Sequence, residues 1–277
     1  MIELGTGYMS TAVKERIPLF MPPVGNDDQT GIGVLCRAVT HRGLVRLHNE
    51  DAFSVLSNEN YHLFAIADGL GGHRGGSIAS EMAIDAVKNE FTKWNGKSND
   101  RFVIKAIQKA NQEVFSTSQS HPELFNMQTT VTVVALQNDS LAIGHVGDCR
   151  LYRVRDGHVV VLTKDHSQAA ELLRLHLISP ADAAQHPGRH QLTRSVGSSP
   201  FLRIDLLKEK TNPGDSYILC SDGLWSEVSH DDIKDALLEK DIEKSLEELV
   251  GAVLAAGAPD NITGIVFRIP ERRRQAT

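Results

Sequence analysis

Two apolar runs in this chain end in an Asp-Gly pair, and these positions constrain the fold more than any other feature. The run at 62–67 leads into Asp68, and the run at 216–221 leads into Asp222. Each run is long enough to form a buried strand. An aspartate at the end of a buried strand is unfavourable unless its charge has a partner. We therefore expect the fold to supply a partner for both carboxylates.

Two more aspartates occupy comparable positions. Asp148 follows the apolar segment 141–146 after one glycine, and Asp260 directly precedes Asn261. Four carboxylates gathered at strand ends would form an all-oxygen pocket that suits Mg²⁺ or Mn²⁺. Each aspartate alone has an alternative role as a turn former, so the metal hypothesis depends on the whole set.

Composition and charge narrow the class of protein. The 277 residues suffice for one large domain, or at most two, and the apolar content of 41% is typical of a globular protein. The net charge of −6 argues against non-specific binding to nucleic acid, and no apolar stretch is long enough to span a bilayer. Three widely spaced cysteines indicate reduced thiols. We expect a soluble cytoplasmic monomer without a nucleic-acid or membrane partner.

The distribution of apolar residues divides the chain into three parts. Residues 1–34 contain several Pro and Gly and are predicted to form a loosely ordered N-terminal extension. The domain itself is predicted at 35–269, and 270–277 form a C-terminal tail. Within the domain, the His- and Arg-rich segment 164–194 is predicted to be a mobile insertion beside the site.

The order of the predicted elements indicates the fold class. Apolar runs predict strands at 34–40, 51–56, 62–67, 129–136, 141–146, 150–155, 158–162, 202–207, 216–220 and 262–268. Helical spacing predicts helices at 77–91, 101–116, 169–175, 231–238 and 245–255. Because strands are grouped with strands and helices come in pairs, we expect an α+β layered sandwich rather than a parallel βαβ fold.

Five segments, taken in order, are similar to the motifs of one family. They are RLHNED at 46–51, ADGLGGHRGG at 67–76, GDCR at 147–150, SDGLW at 221–225 and DNIT at 260–263. Together they resemble the metal-dependent protein phosphatase 2C family, most of all its compact bacterial members. The resemblance covers roughly residues 35 to 269. It implies a four-layer α-β-β-α sandwich, with two antiparallel sheets flanked by helix pairs and with the insertion as the family's flap.

The resemblance also implies an activity and its partners. We expect a serine/threonine protein phosphatase that hydrolyses phosphoserine and phosphothreonine by metal-activated hydroxide, without a phosphoenzyme. Two Mn²⁺ or Mg²⁺ ions are expected in the core site, and a third ion is left open. Bacterial members often oppose a serine/threonine kinase, so the expected partners are such a kinase and its phosphorylated targets.

The resemblance assigns metal-binding roles to several of these residues. Asp68 is expected to bridge the two ions, and Gly69 to offer its backbone carbonyl to one of them. Asp222 and Asp260 are expected to complete the ligands of one ion. Asn261 is expected to support the turn that aims Asp260.

Further residues are expected around the ions. Arg46 is the expected clamp for the substrate phosphate, because a guanidinium group matches two phosphate oxygens at once. Glu50 and Asp51 are expected to contact metal-bound waters or to act as weak ligands. Asp148 matches the position that can hold a third ion in bacterial relatives.

Histidine provides the candidate general acid. In well-studied eukaryotic members a histidine directly follows the Asp-Gly pair, but that position is Leu70 here. His73 lies where bacterial relatives carry theirs, so it is the candidate that would protonate the leaving group or contact the substrate, with a metal-bound water as the rival proton donor. His166 and His190 in the flap are expected to be solvated and to make ordinary hydrogen bonds rather than to bind zinc.

Other functions fit the motifs less well. Neither a cysteine-based phosphatase nor a nucleotide-binding loop is expected. The remaining alternative is a catalytically silent module that binds phosphoproteins without hydrolysing them. The presence of Asp68, Asp222 and Asp260 together with Arg46 favours the enzyme.

Overall fold

The computed structural model of the chain describes residues 19–20, 33–57, 61–70 and 74–271. Over these residues the chain forms the predicted four-layer α-β-β-α sandwich. Two six-stranded sheets pack face to face, and a pair of helices covers the outer face of each. No helix in this described part is long and apolar enough to cross a membrane.

Twelve strands build the two sheets. They are β1 (Leu19–Phe20), β2 (Leu35–His41), β3 (Asp51–Ser57), β4 (Tyr61–Leu70), β5 (Gln128–Thr129), β6 (Val131–Gln137), β7 (Ser140–Val146), β8 (Arg150–Arg155), β9 (His158–Val161), β10 (Asp205–Lys210), β11 (Ser216–Cys220) and β12 (Ile262–Arg268). Sheet A has the order β1-β2-β12-β11-β8-β9, and sheet B has the order β10-β7-β6-β4-β3, with β5 paired to β4. Every pairing between these strands is antiparallel.

Helices form the outer layers and the flap. They are α1 (Arg74–Thr92), α2 (Asn99–Ser120), α3 (Gln168–Arg174), α4 (Pro180–Gln185), α5 (Asp222–Trp225), α6 (His230–Leu238) and α7 (Ile242–Ala255), with a short 3₁₀ helix at Pro122–Leu124. Helices α1 and α2 cover sheet B, whereas α6 and α7 cover sheet A. Ser229 begins α6 with a capping box to Asp232, and Asp241 caps α7.

An aromatic stack joins the two sheets. Phe64 of β4 stacks on Phe267 of β12 with ring centroids 4.1 Å apart, and Tyr217 of β11 stacks on the same Phe267 at 4.8 Å. All three side chains are fully buried. Because the strands alternate their side chains, the opposite faces of the same sheets pack against the outer helices. The stack therefore holds together the two sheets whose strand ends carry the predicted site.

The structure shifts many of the predicted element bounds by a few residues. Strand β4 does not end at Ala67, as predicted, but continues to Leu70, because Gly69 and Leu70 pair with β5. The strand predicted at 202–207 begins only at Asp205, since Leu202 and Ile204 pack against the core under α1 and α2. The flap contains α4 in addition to the single predicted helix.

The chain termini are described only in part. Leu19 and Phe20 of the predicted N-terminal extension pair with Val39 and Ala38 and so add a short edge strand to sheet A. The rest of the extension up to residue 32, and the tail at 272–277, lie outside the described residues.

Replacement of Phe267 should show how much the contact between the sheets contributes. We expect Phe267→Ala to lower the free energy of unfolding by about 3–5 kcal/mol, because it removes a fully buried ring and leaves a cavity. Urea denaturation followed by circular dichroism measures this loss. Phe201→Ala is the matched control, since Phe201 is 90% exposed. Equal losses in the two variants would contradict the assignment of the stack as the inter-sheet core.

Candidate active site

A cavity of about 480 Å³ opens at the edge of both sheets. Glu50 precedes β3, Asp148 follows β7, and Asp260 precedes β12, so strand ends from sheets A and B surround one space. The cavity brings together eight of the predicted residues, namely Arg46, Glu50, Asp68, Gly69, Asp148, Asp222, Asp260 and Asn261.

Strand register places the acidic residues next to one another. Asp51 of β3 lies opposite Asp68 of β4 in the antiparallel ladder. The Ser221 hydroxyl, from the loop after β11, donates to Asp51 Oδ2 at 2.8 Å and so links sheet A to sheet B. Asp51 Oδ1 is buried and has no hydrogen-bond partner among the described residues. Asp51 does not line the cavity, unlike the preceding Glu50.

Close backbone approach explains both Asp-Gly pairs. A Cβ atom at Gly69 would lie 2.2 Å from the Gly76 carbonyl oxygen, and one at Gly223 would lie 2.0 Å from the Asn261 carbonyl oxygen. Such distances exclude any side chain, so glycine lets the chain pass close behind each aspartate. The motif predicts a metal-directed carbonyl at Gly69 but gives no sign of this packing.

Repulsion and desolvation dominate the electrostatics of the cavity. Desolvation and the neighbouring charges of Asp51 and Asp222 raise the pKa of Asp68 well above its usual range. The pKa of Asp148 is raised in the same way by burial and by Asp222. Desolvation raises the pKa of Asp51 to about 7. A divalent cation would offset this concentration of negative charge, so the donor set fits Mn²⁺ or Mg²⁺.

Two carboxylates of the cavity lie against basic side chains of the chain itself. Arg46 Nη2 donates to Asp260 Oδ2 at 2.6 Å, and His190 Nδ1 lies 3.4 Å from Asp222 Oδ2. The Asp260 contact raises the pKa of Arg46. Among the described residues, no group of three or more His, Cys, Asp or Glu side chains forms a complete metal-ligand set. Metal binding would therefore require these two carboxylates to exchange their present partners.

Asn261 connects the loop that carries Arg46 to the loop that carries Asp260. Its side-chain nitrogen donates to the carbonyl oxygens of Arg42 and His48, at 2.8 and 2.9 Å. Its side-chain oxygen accepts from the Glu50 backbone N–H at 2.8 Å. Asp260 Oδ1 accepts from the Asn261 backbone N–H at 2.8 Å. One buried amide thus positions both sides of the Arg46–Asp260 pair.

The loop with Asp148 is supported by residues outside the predicted site. The Trp225 indole N–H donates to the Asp148 carbonyl at 3.0 Å, and the Arg150 guanidinium lies 3.4 Å from the centre of the Trp225 ring. Arg150 also makes two hydrogen bonds to Asp165 at the start of the flap. The only sequence signal is that Arg150 and Trp225 lie within the GDCR and SDGLW segments.

The flap histidines do not behave alike. His166 is 2% exposed, contrary to the expectation of a solvated side chain, and its Nδ1 accepts from the Gly147 backbone N–H at 3.1 Å. His190 is partly exposed and lines the cavity together with Arg189. Arg189 Nε donates to His190 Nε2 at 2.8 Å. His166 therefore fastens the flap to the Asp148 loop, while His190 brings the flap to the cavity.

The remaining chemical candidates are His73 and the cysteines. His73 lies outside the described residues. The Cys-x₅-Arg spacing of cysteine-based phosphatases does occur, at Cys36 and at Cys149, so the sequence alone does not exclude that chemistry. Both thiols are buried and neither lines the cavity, and burial raises the pKa of Cys36 to about 12.

The layered fold, the acidic cavity and the arginine at its edge define the class of a metal-dependent phosphatase. The chain belongs to the protein phosphatase 2C family, whose model matches residues 41–264. It is 36% identical over 231 residues to a putative protein phosphatase 2C-type of Streptococcus pyogenes, a match that covers 81% of this chain and 93% of that relative.

Solved structures agree with the family assignment. The Mycobacterium tuberculosis serine/threonine phosphatase PstP/Ppp superimposes with a TM-score of 0.79 at 32% identity, over 86% of this chain and 99% of the other. A PstP catalytic domain in complex with two manganese ions superimposes with a TM-score of 0.76 at 31% identity, over the same shares. Family and relatives indicate protein-serine/threonine phosphatase activity, and the silent module is not favoured.

The burial and mutual repulsion of these carboxylates should appear as a pH dependence of stability in metal-free protein. The folded-state pKa of Asp51 is about 7, above its unfolded value, so ionisation of Asp51 destabilises the fold as pH rises towards and through that value. With chelator present, we expect Asp51→Asn to be more stable than the unsubstituted chain by about 1–3 kcal/mol near pH 8, and the difference to shrink near pH 5. Urea denaturation at both pH values measures the difference.

Asp235→Asn is the control, because Asp235 is exposed on α6 and away from the cavity. It should behave like the unsubstituted chain at both pH values. A stability difference for Asp51→Asn that does not change with pH would contradict the electrostatic account.

Proposed function

We propose that this cavity hydrolyses phosphoserine and phosphothreonine in proteins, with two Mn²⁺ or Mg²⁺ ions in its core. The observation that carries the proposal is the convergence of Asp68, Asp222 and Asp260 from both sheets on one cavity with Arg46 at its edge. A second cavity, lined by Asp100, Asp139 and Lys208, has carboxylates but no arginine.

The core ions would be held by Asp68, by the Gly69 carbonyl, by Asp222 and by Asp260. When bound, they supply positive charge to the phosphoryl oxygens and lower the pKa of the attacking water. Asp68 would contact both ions, because burial and the charges of Asp51, Asp222 and Asp148 raise its pKa and so favour a cation beside it. Its backbone is fixed from both sides, since Thr130 Oγ1 accepts from the Asp68 N–H and the Thr130 N–H donates to the Asp68 carbonyl.

Arg46 binds the substrate phosphate in this proposal. Its guanidinium reaches the cavity and is half-exposed, so a phosphate can approach it from solvent. A planar guanidinium offers two parallel N–H groups to two phosphate oxygens. The phosphate would replace Asp260 as the partner of Arg46, and Asp260 would then be available to the metal. Asn261 keeps the two loops in position during this exchange.

The remaining predicted residues have supporting roles. Glu50 and Asp51 would contact waters on the ions or act as weak ligands. Asp148, with Asp222, would hold a third ion. His73 would protonate the serine or threonine oxygen as its bond to phosphorus breaks, so that the alcohol leaves.

The proposal extends to the biological setting. Phosphorylated proteins are the substrates, and the opposing enzyme is a serine/threonine kinase. The chain acts as a cytoplasmic monomer, with the catalytic domain at 35–269 and the flap at 164–194. The crystal structure of PstP/Ppp, a serine/threonine phosphatase, supports the assignment of the substrate class.

Metal dependence can be tested with a phosphothreonine peptide. The unsubstituted chain should release phosphate in Mn²⁺ and lose this activity in chelator. Asp222→Asn in Mn²⁺ should lower kcat by about a hundredfold or more, because it removes a charged ligand. Isothermal titration calorimetry with Mn²⁺ gives an independent readout and should show weaker binding in the variant.

Asp235→Asn is again the control and should keep both the activity and the Mn²⁺ affinity. If folded, metal-bound protein does not hydrolyse the peptide, the proposed enzymatic function is wrong and the silent module is favoured.

The role of Arg46 predicts a different kinetic pattern. Arg46→Ala should raise the KM for p-nitrophenyl phosphate and lower kcat/KM by about 10- to 100-fold, since one charge-assisted contact is worth about 1.5–3 kcal/mol. Arg46→Lys should recover part of this loss, because lysine restores the charge without the two-pronged geometry. Arg101→Ala, an exposed change on α2, should leave kcat/KM unaltered. Unchanged kinetics in Arg46→Ala would contradict the role of Arg46 in binding the substrate phosphate.

A further inference from the structure

Three exposed aliphatic side chains surround Arg46 in sequence. Leu44, Val45 and Leu47 are 59%, 66% and 80% exposed. A single exposed leucine is ordinary on a protein surface, but three within four residues at the edge of a functional cavity are not. We call these three residues the apolar rim.

The exposure of the rim does not result from a loosely held loop. The Leu44 backbone N–H donates to the Ala258 carbonyl at 2.9 Å, and Asn261 holds the carbonyls of Arg42 and His48 on either side. The loop is thus anchored before, within and after the rim. Its aliphatic side chains are presented to solvent from a fixed backbone.

The same hydrogen bonds place the rim beside the cavity. Ala258 is followed by Pro259 and Asp260, which both line the cavity, and Arg46 lines it from within the rim. A polypeptide whose phosphorylated side chain reaches Arg46 comes close to the rim, because the rim residues flank Arg46 in the chain. Successive residues of an extended chain are about 3.3 Å apart, so the residues next to the phosphorylated one lie within reach of the rim.

We propose that the apolar rim binds aliphatic side chains next to the phosphorylated residue of the protein substrate. The inference rests on the proposed function, because it takes the cavity to be the phosphate site. A segment of the phosphoprotein is the occupant that fits, since the rim flanks Arg46, which lines the cavity and would bind the phosphate. The rim thus makes the enzyme selective for phosphorylation sites with aliphatic neighbours.

The test compares two phosphothreonine peptides that differ only in having Leu or Ser at the two positions on each side of the phosphothreonine. For the unsubstituted chain in Mn²⁺ we expect kcat/KM to be about tenfold higher for the Leu peptide, as burial of part of a leucine side chain allows. The double variant Leu44→Ser/Leu47→Ser should bring the ratio close to one. Hydrolysis of p-nitrophenyl phosphate, which has no flanking residues, should stay unchanged in that variant.

Leu238→Ser is the matched control, because Leu238 is 53% exposed at the end of α6 and does not line the cavity. It should keep the tenfold ratio. A ratio near one in the unsubstituted chain, or an unaltered ratio in the double variant, would overturn the proposal. The alternative occupant of the rim is a second copy of the chain, and sedimentation velocity tests for it. If the unsubstituted chain is a dimer, the double variant is a monomer and the peptide ratio is unaltered, the rim is a dimer contact.

Peptide binding separates this inference from the proposed function. Fluorescence anisotropy in chelator, where turnover is stopped, measures the affinities for both labelled peptides. Tighter binding of the Leu peptide that the double variant abolishes supports the rim even if no substrate is hydrolysed. In that event the proposed function fails and the rim stands. Hydrolysis of both peptides with equal affinities would instead uphold the proposed function and overturn the role of the rim.

Discussion

The approach of several carboxylates from two different sheets is the constraint on which the rest of this structure depends. Asp51 and Asp68 lie opposite each other in sheet B, and the Ser221 hydroxyl from sheet A donates to Asp51. Desolvation and nearby like charges raise the pKa of Asp51 and of Asp68, and both effects oppose folding when the carboxylates are ionised. The packing between the sheets, centred on Phe267, must therefore outweigh the repulsion at their edge.

A series of hydrogen bonds connects the packed sheets to the loops of the cavity. Thr263 of β12 accepts the Ser221 N–H through its carbonyl and donates its own N–H to the Ser221 hydroxyl, so the loop with Asp222 is fastened to β12. The Thr263 hydroxyl also contacts Thr40 on β2 at 2.9 Å. Asn49 reaches Thr40 in turn, at 2.8 Å, from the loop just before β3. Small polar side chains, rather than large ones, thus join the two sheets at the site.

The sequence predicted a strand or a site residue correctly where a local apolar pattern or a motif marks it. β12 was predicted with the correct bounds, because 262–268 is rich in β-branched and aromatic residues and ends in a charged one. β10 was misplaced, because apolar Leu202 and Ile204 pack on the helices of sheet B, whereas the strand itself alternates with charged residues at a sheet edge. The acidic residues were recognised from their motifs, but the contacts of Asn261 with Arg42 and His48 span more than 210 residues. No local pattern encodes such pairings.

The partners of Asp222 and Asp260 raise the question whether these carboxylates can serve a metal at all. Both pairs lie at the cavity edge, and the Arg46 and His190 side chains are 50% and 44% exposed. An exposed ion pair such as Arg46–Asp260 contributes about 0–1 kcal/mol, and the His190 contact is long at 3.4 Å, so replacing both contacts by a divalent cation costs little. A bound cation stabilises the half-buried Asp68 far more, because this carboxylate has no cationic partner among the described ion pairs and its pKa is strongly raised. Asp68 therefore determines the affinity of the site for a cation, while Asp222 and Asp260 can exchange partners during turnover.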